Sequence, residues 1–307
     1  MQNPTALRRS THDYTSPKDG EAFYYLGVAL EGQGKYEAAY DAFYKATWSK
    51  AWDAAAYYAL AQIACRRGQY TQAADFLDRS ISLNALNTMA LNLKAVTSRH
   101  LGKADQAKLL ASQVLSVDPL DSWAGNEQYL AEFATGQKTE ADRELAALKS
   151  KMRDDAQSYL ELATDYGDCG LWDEAINVLS RLDDASKPGQ GAYPMLAYYL
   201  GYFYEMQGNA AEAAQHYRMA SKMPPDYCFP LRRESAEVLN HAMNNNPKDA
   251  RAPYYLGNLL FDHQPENAVR AWETSRALDG SFATVHRNLG LAYARVENNL
   301  PKAIASS

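Results

Sequence analysis

Cysteine, clustered positive charge and long apolar runs are all scarce in this sequence of 307 residues. Its three cysteines, Cys65, Cys169 and Cys228, are far apart and share no metal-ligand or redox spacing, so we expect reduced thiols and no disulfide framework. No apolar run approaches the roughly 20 residues that a membrane-spanning helix needs, and the N-terminal stretch contains no apolar signal core. These absences predict a soluble, cytoplasmic protein that does not contact a membrane.

Positive charge is also too sparse for a nucleic-acid surface. The formal net charge is -6 and the sequence pI is about 5.6. Nucleic-acid binding needs clustered Lys and Arg that displace counterions from phosphates, and the sequence has no strong basic run. The pairs Arg66–Arg67 and Arg232–Arg233 are interpreted as solvated helix ends, so nucleic acid is not an expected partner.

A repeat of 34 residues is the strongest signal in the sequence. Turn-forming glycines recur at this interval, and an alanine follows each of them after five residues: Gly34, Gly68, Gly102, Gly136 and Gly170, then Ala39, Ala73, Ala107, Ala141 and Ala175. Glycine allows the left-handed backbone of a tight turn after a helix, and alanine lets a second helix approach the first closely. Apolar residues at helical spacing flank each turn, so the pattern predicts stacked helix–turn–helix units.

The regular interval is interrupted twice. The next turn glycine, Gly208, follows Gly170 after 38 residues, and the extra residues fit a proline- and glycine-rich insertion near 186–194. Further on, the prolines between 224 and 230 exclude a helix. A single irregular helix is expected near 231–243, and its apolar stripe would consist of Leu231, Val238, Leu239 and Ala242.

The domain boundaries follow from these interruptions. We expect a flexible lead-in at 1–19, six units over 20–223, an irregular connector and single helix over 224–248, and further units over 249–307. The turn after Gly257 is one residue shorter than the others. The last unit is truncated and lacks the polar capping helix that such stacks normally carry, so the chain is expected to be part of a longer polypeptide.

These repeats resemble the tetratricopeptide repeat family from about Gly20 to the end of the sequence. Two units keep a leucine–glycine pair in the first helix and an alanine, aromatic, alanine series in the second: Leu26–Gly27 with Ala39, Phe43 and Ala46, and Leu200–Gly201 with Ala213, Tyr217 and Ala220. Ala61, Ala95 and Tyr129 depart from the pattern at the helix glycine. The resemblance implies an all-α, right-handed superhelical α-solenoid of about eight units. It also implies a non-enzymatic scaffold that binds proteins or peptides.

Four segments are similar to a narrower group, the C-terminal repeat half of large bacterial proteins with an uncharacterised, carbohydrate-associated β-rich domain: AYDAFYKATWSKAW, DYGDCGLWDEAI, APYYLGNLLFD and SFATVHRNLGLAY. This resemblance implies a bacterial protein whose repeats serve as an accessory or oligomerisation domain of a larger carbohydrate-active or related enzyme. The partner would then be another domain of the same polypeptide. The oligomeric state, monomer or homodimer, stays open.

No motif predicts catalysis, a cofactor or a metal. The segment EGQGKY, which ends in Tyr36, lacks the spacing of a phosphate-binding loop. The six histidines show no pair at helical metal spacing with a carboxylate partner. Cys169 has no neighbouring base in the sequence that would lower its pKa. We therefore expect no enzyme, no cofactor and no metal site, although residues distant in sequence can still assemble in space.

The family resemblance further implies a concave groove, lined by recurring positions of the first helix of each unit. The candidate residues are Tyr24, Tyr58, Arg66, Asn92, Arg99, Trp123, Asn126, Tyr198, Tyr202, Tyr254, Asn258, Arg287 and Asn288. Such aromatic and polar side chains suit a bound peptide strand or helix. The competing interpretation is packing between helices with polar tips at the rim, and both stay open. Asn258 and Asn288 also match two positions of a carboxylate clamp, but Tyr254 replaces its lysine, so a complete clamp is rejected.

Overall fold

A computed structural model describes residues 20–182, 193–295 and 300–304. Every regular element in these ranges is an α-helix. In chain order the helices are α1 (Glu21–Glu31), α2 (Tyr36–Ala46), α3 (Asp53–Arg66), α4 (Tyr70–Leu83), α5 (Thr88–His100), α6 (Ala104–Val117), α7 (Ser122–Ala134), α8 (Lys138–Met152), α9 (Ala156–Asp168), α10 (Trp172–Ser180), α11 (Pro194–Gln207), α12 (Ala210–Ala220), α13 (Ser235–Asn245), α14 (Arg251–Leu260), α15 (Pro265–Leu278), α16 (Ala283–Arg295) and α17 (Leu300–Ile304). The predicted lead-in at 1–19 and most of the predicted insertion near 186–194 lie outside the described residues.

Neighbouring helices pack in pairs. Helix α1 packs against α2 and α3 against α4, and the pairing continues in α5–α6, α7–α8, α11–α12, α14–α15 and α16–α17. The second helix of one pair then contacts the first helix of the next, as in α2–α3, α4–α5 and α6–α7. In a stack of repeats each helix pair buries its apolar face against the neighbouring pairs. The contacts within and between pairs follow this arrangement. The predicted all-α fold of helix–turn–helix units is confirmed.

The turn glycines adopt the left-handed backbone that the spacing predicted. Six of them have positive φ, from +69° at Gly68 to +90° at Gly208. At Gly34, Gly68, Gly102, Gly136 and Gly208 an added Cβ would meet nothing within 4 Å. The requirement for glycine at these turns is therefore conformational, because a side chain would have room but would strain the backbone.

The alanines five residues beyond the turns are all buried. Ala39, Ala73, Ala107, Ala175 and Ala213 are completely inaccessible to solvent. Each lies in the first or second turn of a second helix, where a larger side chain would push the two helices of the pair apart. The sequence interpretation of this position as a close helix–helix contact is thus confirmed.

A second set of glycines lies inside the first helices and receives an aromatic ring from the second helix. A Cβ added at Gly27 would lie 2.6 Å from the ring of Phe43, and one added at Gly201 would lie 2.6 Å from the ring of Tyr217. The same contact recurs between Gly257 and Trp272. The last pair is separated by 15 residues instead of 16, which agrees with the shorter predicted turn in that unit.

Replacing Gly201 by alanine should destabilise the protein, although alanine is the better helix former. The new methyl group would overlap the buried Tyr217 ring, and such overpacking costs about 1–3 kcal/mol. Gly125→Ala in α7 is the matched control, since its Cβ would meet only the end of the Leu148 side chain, at 3.3 Å. Urea denaturation should show a loss for Gly201→Ala and a gain of up to about 1 kcal/mol for the control. Equal effects at the two sites would contradict the packing role of Gly201.

The described helices form two compact units with different cores, which we call the first unit and the second unit; each contains several helix pairs. The first contains α1–α8 together with residues 168–171, and the second contains residues 154–167 and the chain from Trp172 onward. Aliphatic side chains and alanines dominate the core of the first unit. Large, fully buried tyrosines dominate the core of the second: Tyr159, Tyr166, Tyr198, Tyr199, Tyr217, Tyr255 and Tyr293. Several of these hydroxyls donate hydrogen bonds to carboxylates, as Tyr198 does to Asp249 and Tyr217 to Glu205.

The irregular connector is present, but its helix begins later than predicted. Helix α13 starts at Ser235, and the Leu231 side chain is 78% exposed, so Leu231 does not belong to the apolar stripe of that helix. A turn at 233–234 precedes the helix, and hydrogen bonds between α13 and the α11 residues Tyr202 and Glu205 fix its position. Val238, Leu239 and Ala242 are buried as predicted, and α13 packs against α11, α12 and α14.

Candidate functional site

One predicted groove position recurs at intervals of 34 residues in the first unit. Tyr24, Tyr58, Asn92 and Asn126 occupy it on α1, α3, α5 and α7. Its exposure falls along the chain, because Tyr24 and Tyr58 are half-buried while Asn92 and Asn126 are 0% and 1% exposed. Only the first two members of the row are therefore accessible to a partner.

Hydrogen bonds between neighbouring first helices close this row at Asn92. The Asn92 amide donates to both carboxylate oxygens of Asp121, at 3.1 and 3.0 Å. Asp121 is also the N-cap of α7, where it accepts a hydrogen bond from the Ala124 main-chain nitrogen at 2.8 Å. Trp123, the next candidate, is 2% exposed. In the helix pairs α5–α6 and α7–α8, the predicted groove positions therefore serve packing between helices.

Arg99 is engaged in an ion pair with a buried carboxylate. Its Nε and Nη2 donate to the two oxygens of Glu127, at 2.8 and 3.1 Å. The side chain of Glu127 is fully buried and that of Arg99 is 13% exposed. A bidentate pair with little solvent around it orients both helices, so Arg99 joins α5 to α7.

Arg66 takes part in a stacking contact that recurs between neighbouring helix pairs. Its guanidinium lies 4.5 Å from the ring centre of Tyr36, and its Nη2 donates to the main-chain oxygen of Asp168 at 3.1 Å. The equivalent residues one repeat later are Tyr70 and His100, whose rings stack at 4.4 Å. The first residue of a second helix therefore packs against the end of the next first helix, a role that the 34-residue spacing of these aromatic positions could have indicated.

In the second unit the candidate tyrosines are buried and bonded. The Tyr198 hydroxyl donates to Asp249 Oδ2 at 2.7 Å, and Asp249 in turn caps α14 through the main-chain nitrogen of Arg251 at 2.7 Å. The Tyr202 hydroxyl donates to Glu237 of α13 at 3.0 Å. Tyr254 is 5% exposed and packs on the ring of Phe282.

Glu205 joins three helices of the second unit. Its carboxylate accepts hydrogen bonds from Tyr217 of α12 at 2.8 Å and from Asn245 of α13 at 2.9 Å, and it lies 3.0 Å from His241 Nδ1. Helix α13 therefore covers the side of α11 on which the sequence placed a groove. The sequence did not indicate this contact, because α13 fits no repeat position.

Asn258 and Asn288, the weak clamp candidates, bond to each other. The Asn288 amide donates to Asn258 Oδ1 at 3.1 Å, and the same oxygen accepts the indole N–H of Trp272 at 3.1 Å. These bonds fix the spacing of α14, α15 and α16. Arg287, next to Asn288, is exposed.

Six of the thirteen candidates are buried in the packed helices: Asn92, Trp123, Asn126, Tyr198, Tyr202 and Tyr254. A buried side chain cannot contact a docked partner in this conformation, so for these residues the structure supports the packing interpretation. The others keep accessible surface, and a binding role for them stays a prediction: Tyr24, Tyr58, Arg66, Arg99, Asn258, Arg287 and Asn288.

An accessible aromatic cluster in the first unit was missed from the sequence. The ring of Tyr24 lies 4.9 Å from Trp52 and 5.9 Å from Tyr25, and Trp52 lies 5.5 Å from Tyr25. Tyr25 is 56% exposed, and Tyr24 and Trp52 are half-buried. We call these three residues the α1 aromatic patch. Burial, followed by the nearby carboxylate of Glu31, raises the pKa of Tyr24. The tryptophans of the segment TWSKAW were the available signal.

A family model described as tetratricopeptide repeat matches residues 5–55 and 160–227. The matched segments contain the Gly27–Phe43 and Gly201–Tyr217 contacts described above. These two segments are tetratricopeptide repeats.

Solved tetratricopeptide structures resemble the chain at low sequence identity. A tetratricopeptide repeat protein from Parabacteroides merdae is 15% identical over 89% of this chain and 98% of its own, with a TM-score of 0.42. MamA from Desulfovibrio magneticus, residue 41 to its end, is 19% identical over 54% of this chain and 92% of its own, with a TM-score of 0.33. Likeness at this level says nothing about a partner or a ligand.

The described part of the chain contains no group of three or more His, Cys, Asp or Glu that could hold a metal ion. None of its helices there is long and apolar enough to cross a bilayer. Burial raises the pKa of the Cys65 thiol to about 12 and that of Cys228 to about 11, so neither is a ready nucleophile at neutral pH. The tetratricopeptide fold is typical of protein-interaction scaffolds.

Proposed function

We propose that this tetratricopeptide repeat protein is a scaffold that binds a peptide or protein segment through the α1 aromatic patch and the neighbouring Tyr58. The observation that carries the proposal is the cluster of Tyr24, Tyr25 and Trp52, whose rings touch while keeping exposed surface. Tyrosine and tryptophan dominate binding hot spots, because they bury much surface at a small entropic cost.

The position of the patch extends it toward a second first helix. Trp52 immediately precedes α3, and Tyr58 follows on that helix with its side chain half-buried. Tyr58 is the 34-residue equivalent of Tyr24, so a segment lying across α1 and α3 would meet the same residue type twice. A repeated contact of this kind is how stacked repeats bind an extended partner.

The charge around the patch favours a basic partner segment. Helix α1 begins and ends in glutamate, Glu21 and Glu31, and contains no lysine or arginine. Cationic side chains are attracted to the faces of Trp and Tyr rings and to nearby carboxylates. We therefore expect the bound segment to combine apolar residues with Lys or Arg.

Peptide selection on the full chain tests this function. Random peptides displayed on phage should yield sequences enriched in Lys, Arg and apolar residues, and Tyr25→Ala with Trp52→Ala should weaken the best of them at least about 30-fold, the loss expected for a central hot spot. Fluorescence anisotropy measures the affinity, and a thermal melt verifies folding. Tyr44→Ala, a change of a 47% exposed tyrosine on α2, is the control and should bind as the wild type does. Equal affinity of the double variant and the wild type would refute the proposal.

The accessory or oligomerisation domain of a larger carbohydrate-active or related enzyme is the alternative function. It stays a prediction, because it depends on a second domain that could be detected only in the coding sequence around this chain. One part of this alternative, self-association of the repeats, can be tested on the surface of the second unit.

A further inference from the structure

Three large apolar side chains protrude from the connector between α12 and α13. Tyr227 is 91% exposed, Phe229 is 59% exposed and Leu231 is 78% exposed. The residues between them, Cys228 and Pro230, are buried. We call the three exposed residues the connector ridge. Exposed and buried side chains thus alternate along the connector from Tyr227 to Leu231.

The ridge is held firmly against the second unit. Phe229 offers its main-chain oxygen to the Tyr193 hydroxyl at 3.2 Å. The Arg232 guanidinium donates to the main-chain oxygen of Gln157 at 3.4 Å and lies 3.5 Å from Glu161. A segment fixed in this way loses little conformational entropy when it binds, so its exposed rings are pre-organised for a partner.

The backbone of Tyr227 points to the same conclusion. Its φ is +58°, a left-handed value that costs a residue with a Cβ free energy unless the surrounding structure imposes it. This conformation directs the most exposed aromatic side chain of the ridge away from the unit. A strained residue that also exposes a large ring is expected where the ring has a contact to make.

We propose that the connector ridge is the contact surface of a symmetric homodimer, in which the ridge of one copy packs against the ridge of a second copy. In a two-fold contact the same patch faces itself in the opposite direction. Phe229 would then lie at the centre against the Phe229 of the partner, and Tyr227 would face Leu231 at both ends. Each large side chain of the ridge thereby acquires an apolar neighbour.

Charges at the two ends of the ridge agree with this arrangement. Asp226 lies at one end and Arg233 at the other, and both side chains are exposed. Reversing the direction of the second copy brings each Asp226 toward the Arg233 of the other copy. Arg233 now lies 3.6 Å from Glu234, and because the Arg233 side chain is 77% exposed this pair contributes little free energy and would not prevent the exchange. The ends of the ridge are therefore complementary only in the antiparallel orientation.

The size of the ridge predicts a weak, reversible dimer. Six large side chains would together bury on the order of 800 Å², which is below the usual size of a stable interface. We expect a dissociation constant on the order of 10–100 µM. The dimer should therefore form only as the protein concentration approaches that range.

Sedimentation velocity of the full chain, over about 1–300 µM, tests the proposal. The wild type should shift from monomer to dimer, and replacing Tyr227, Phe229 and Leu231 by serine should raise the dissociation constant at least tenfold. Circular dichroism verifies that the variant is folded. The matched control replaces Leu86 and Leu120 by serine, because these leucines are 75% and 73% exposed in loops of the first unit. The control should dimerise as the wild type does.

Charge reversal distinguishes this interface from any other. Asp226→Arg alone and Arg233→Asp alone should each weaken the dimer, because each creates like charges at both ends of the contact. The double variant restores opposite charges between the copies and should recover most of the wild-type affinity. A wild type that stays monomeric throughout the concentration range overturns the proposal. So does a dimer that the serine variant leaves intact, or one that the double charge variant fails to recover.

Discussion

Alkaline solution should unfold the second unit of this helical-repeat protein. Burial raises the pKa of Tyr198, Tyr217 and Tyr255, and nearby groups (Asp249, Glu205 and Cys228 respectively) raise each pKa further. All three side chains are almost completely inaccessible to solvent. In the unfolded chain the same hydroxyls ionise freely once the pH exceeds about 10.

The sign of the effect follows from where the protons are bound. Above pH 10 the unfolded chain releases these protons while the folded unit retains them, so folding binds protons and the free energy of unfolding falls as the pH rises. Each tyrosine contributes about 1.4 kcal/mol per pH unit, and three together contribute about 4 kcal/mol per unit. Their stabilising contribution is fully present below pH 10 and is lost as the pH rises toward the folded pKa values.

A thiol in the same unit starts the decline earlier. Burial raises the pKa of Cys228 from its ordinary value of 9.0 to about 11, so its contribution is lost between these two values. The expected curve of stability against pH therefore begins to fall near pH 9 and becomes steeper above pH 10.

Urea denaturation at pH values from about 8 to 11.5, followed by far-ultraviolet circular dichroism, measures this curve. Tyr217→Phe should reduce its slope above pH 10 by about 1.4 kcal/mol per unit, although the lost hydrogen bond to Glu205 lowers stability at neutral pH. Val238→Ala is the control, because it opens a cavity in the same unit without removing a hydroxyl and should shift the curve without tilting it. Parallel curves for Tyr217→Phe and the wild type would contradict the assignment.

Removing the carboxylate of Glu127 should strongly destabilise the first unit. Glu127→Ala leaves the Arg99 guanidinium without its bidentate partner at a position where little water reaches it. Breaking one side of such a pair costs about 3–5 kcal/mol. We expect a loss of this size in the free energy of unfolding measured with urea at neutral pH.

Two further variants identify the origin of that loss. Replacing Arg99 by Met and Glu127 by Leu together removes both charges, and its stability should lie within about 1 kcal/mol of the wild type or above it. Glu37→Ala breaks the exposed pair with Arg67, in which the glutamate side chain is 88% exposed, and should cost less than about 1 kcal/mol. If the double variant were as unstable as Glu127→Ala, lost packing rather than an unpaired charge would be the cause.

Much of the fold could be predicted from the sequence because its determinants are local. A turn of two helices needs a left-handed residue, and Gly34 and its equivalents have positive φ at the predicted interval. A ring that packs on a helix backbone needs a glycine beneath it, as Tyr217 needs Gly201. These requirements act over a few residues or within one helix pair, so they appear in the repeat itself.

The prolines of the connector also acted locally, since they excluded a helix before 231. They did not determine where α13 begins or what it contacts. Its position depends on Glu205 and the tyrosines of α11, which lie about 30 residues earlier in the chain. The late start at Ser235 and the exposure of Leu231 were therefore visible only in the structure.

The sequence by itself determined the repeat, its turns and its close helix contacts, whereas the tertiary structure decided which repeated positions reach solvent. The same place in the helix pair is occupied by Tyr24, Asn92 and Tyr198. Yet Tyr24 is half-buried, Asn92 donates a hydrogen bond to the N-cap residue Asp121, and Tyr198 lies in the core. Exposure depends on what the neighbouring helices place over a side chain, and no pattern within a single repeat records this. For the same reason the α1 aromatic patch and the connector ridge emerged only from the packed chain.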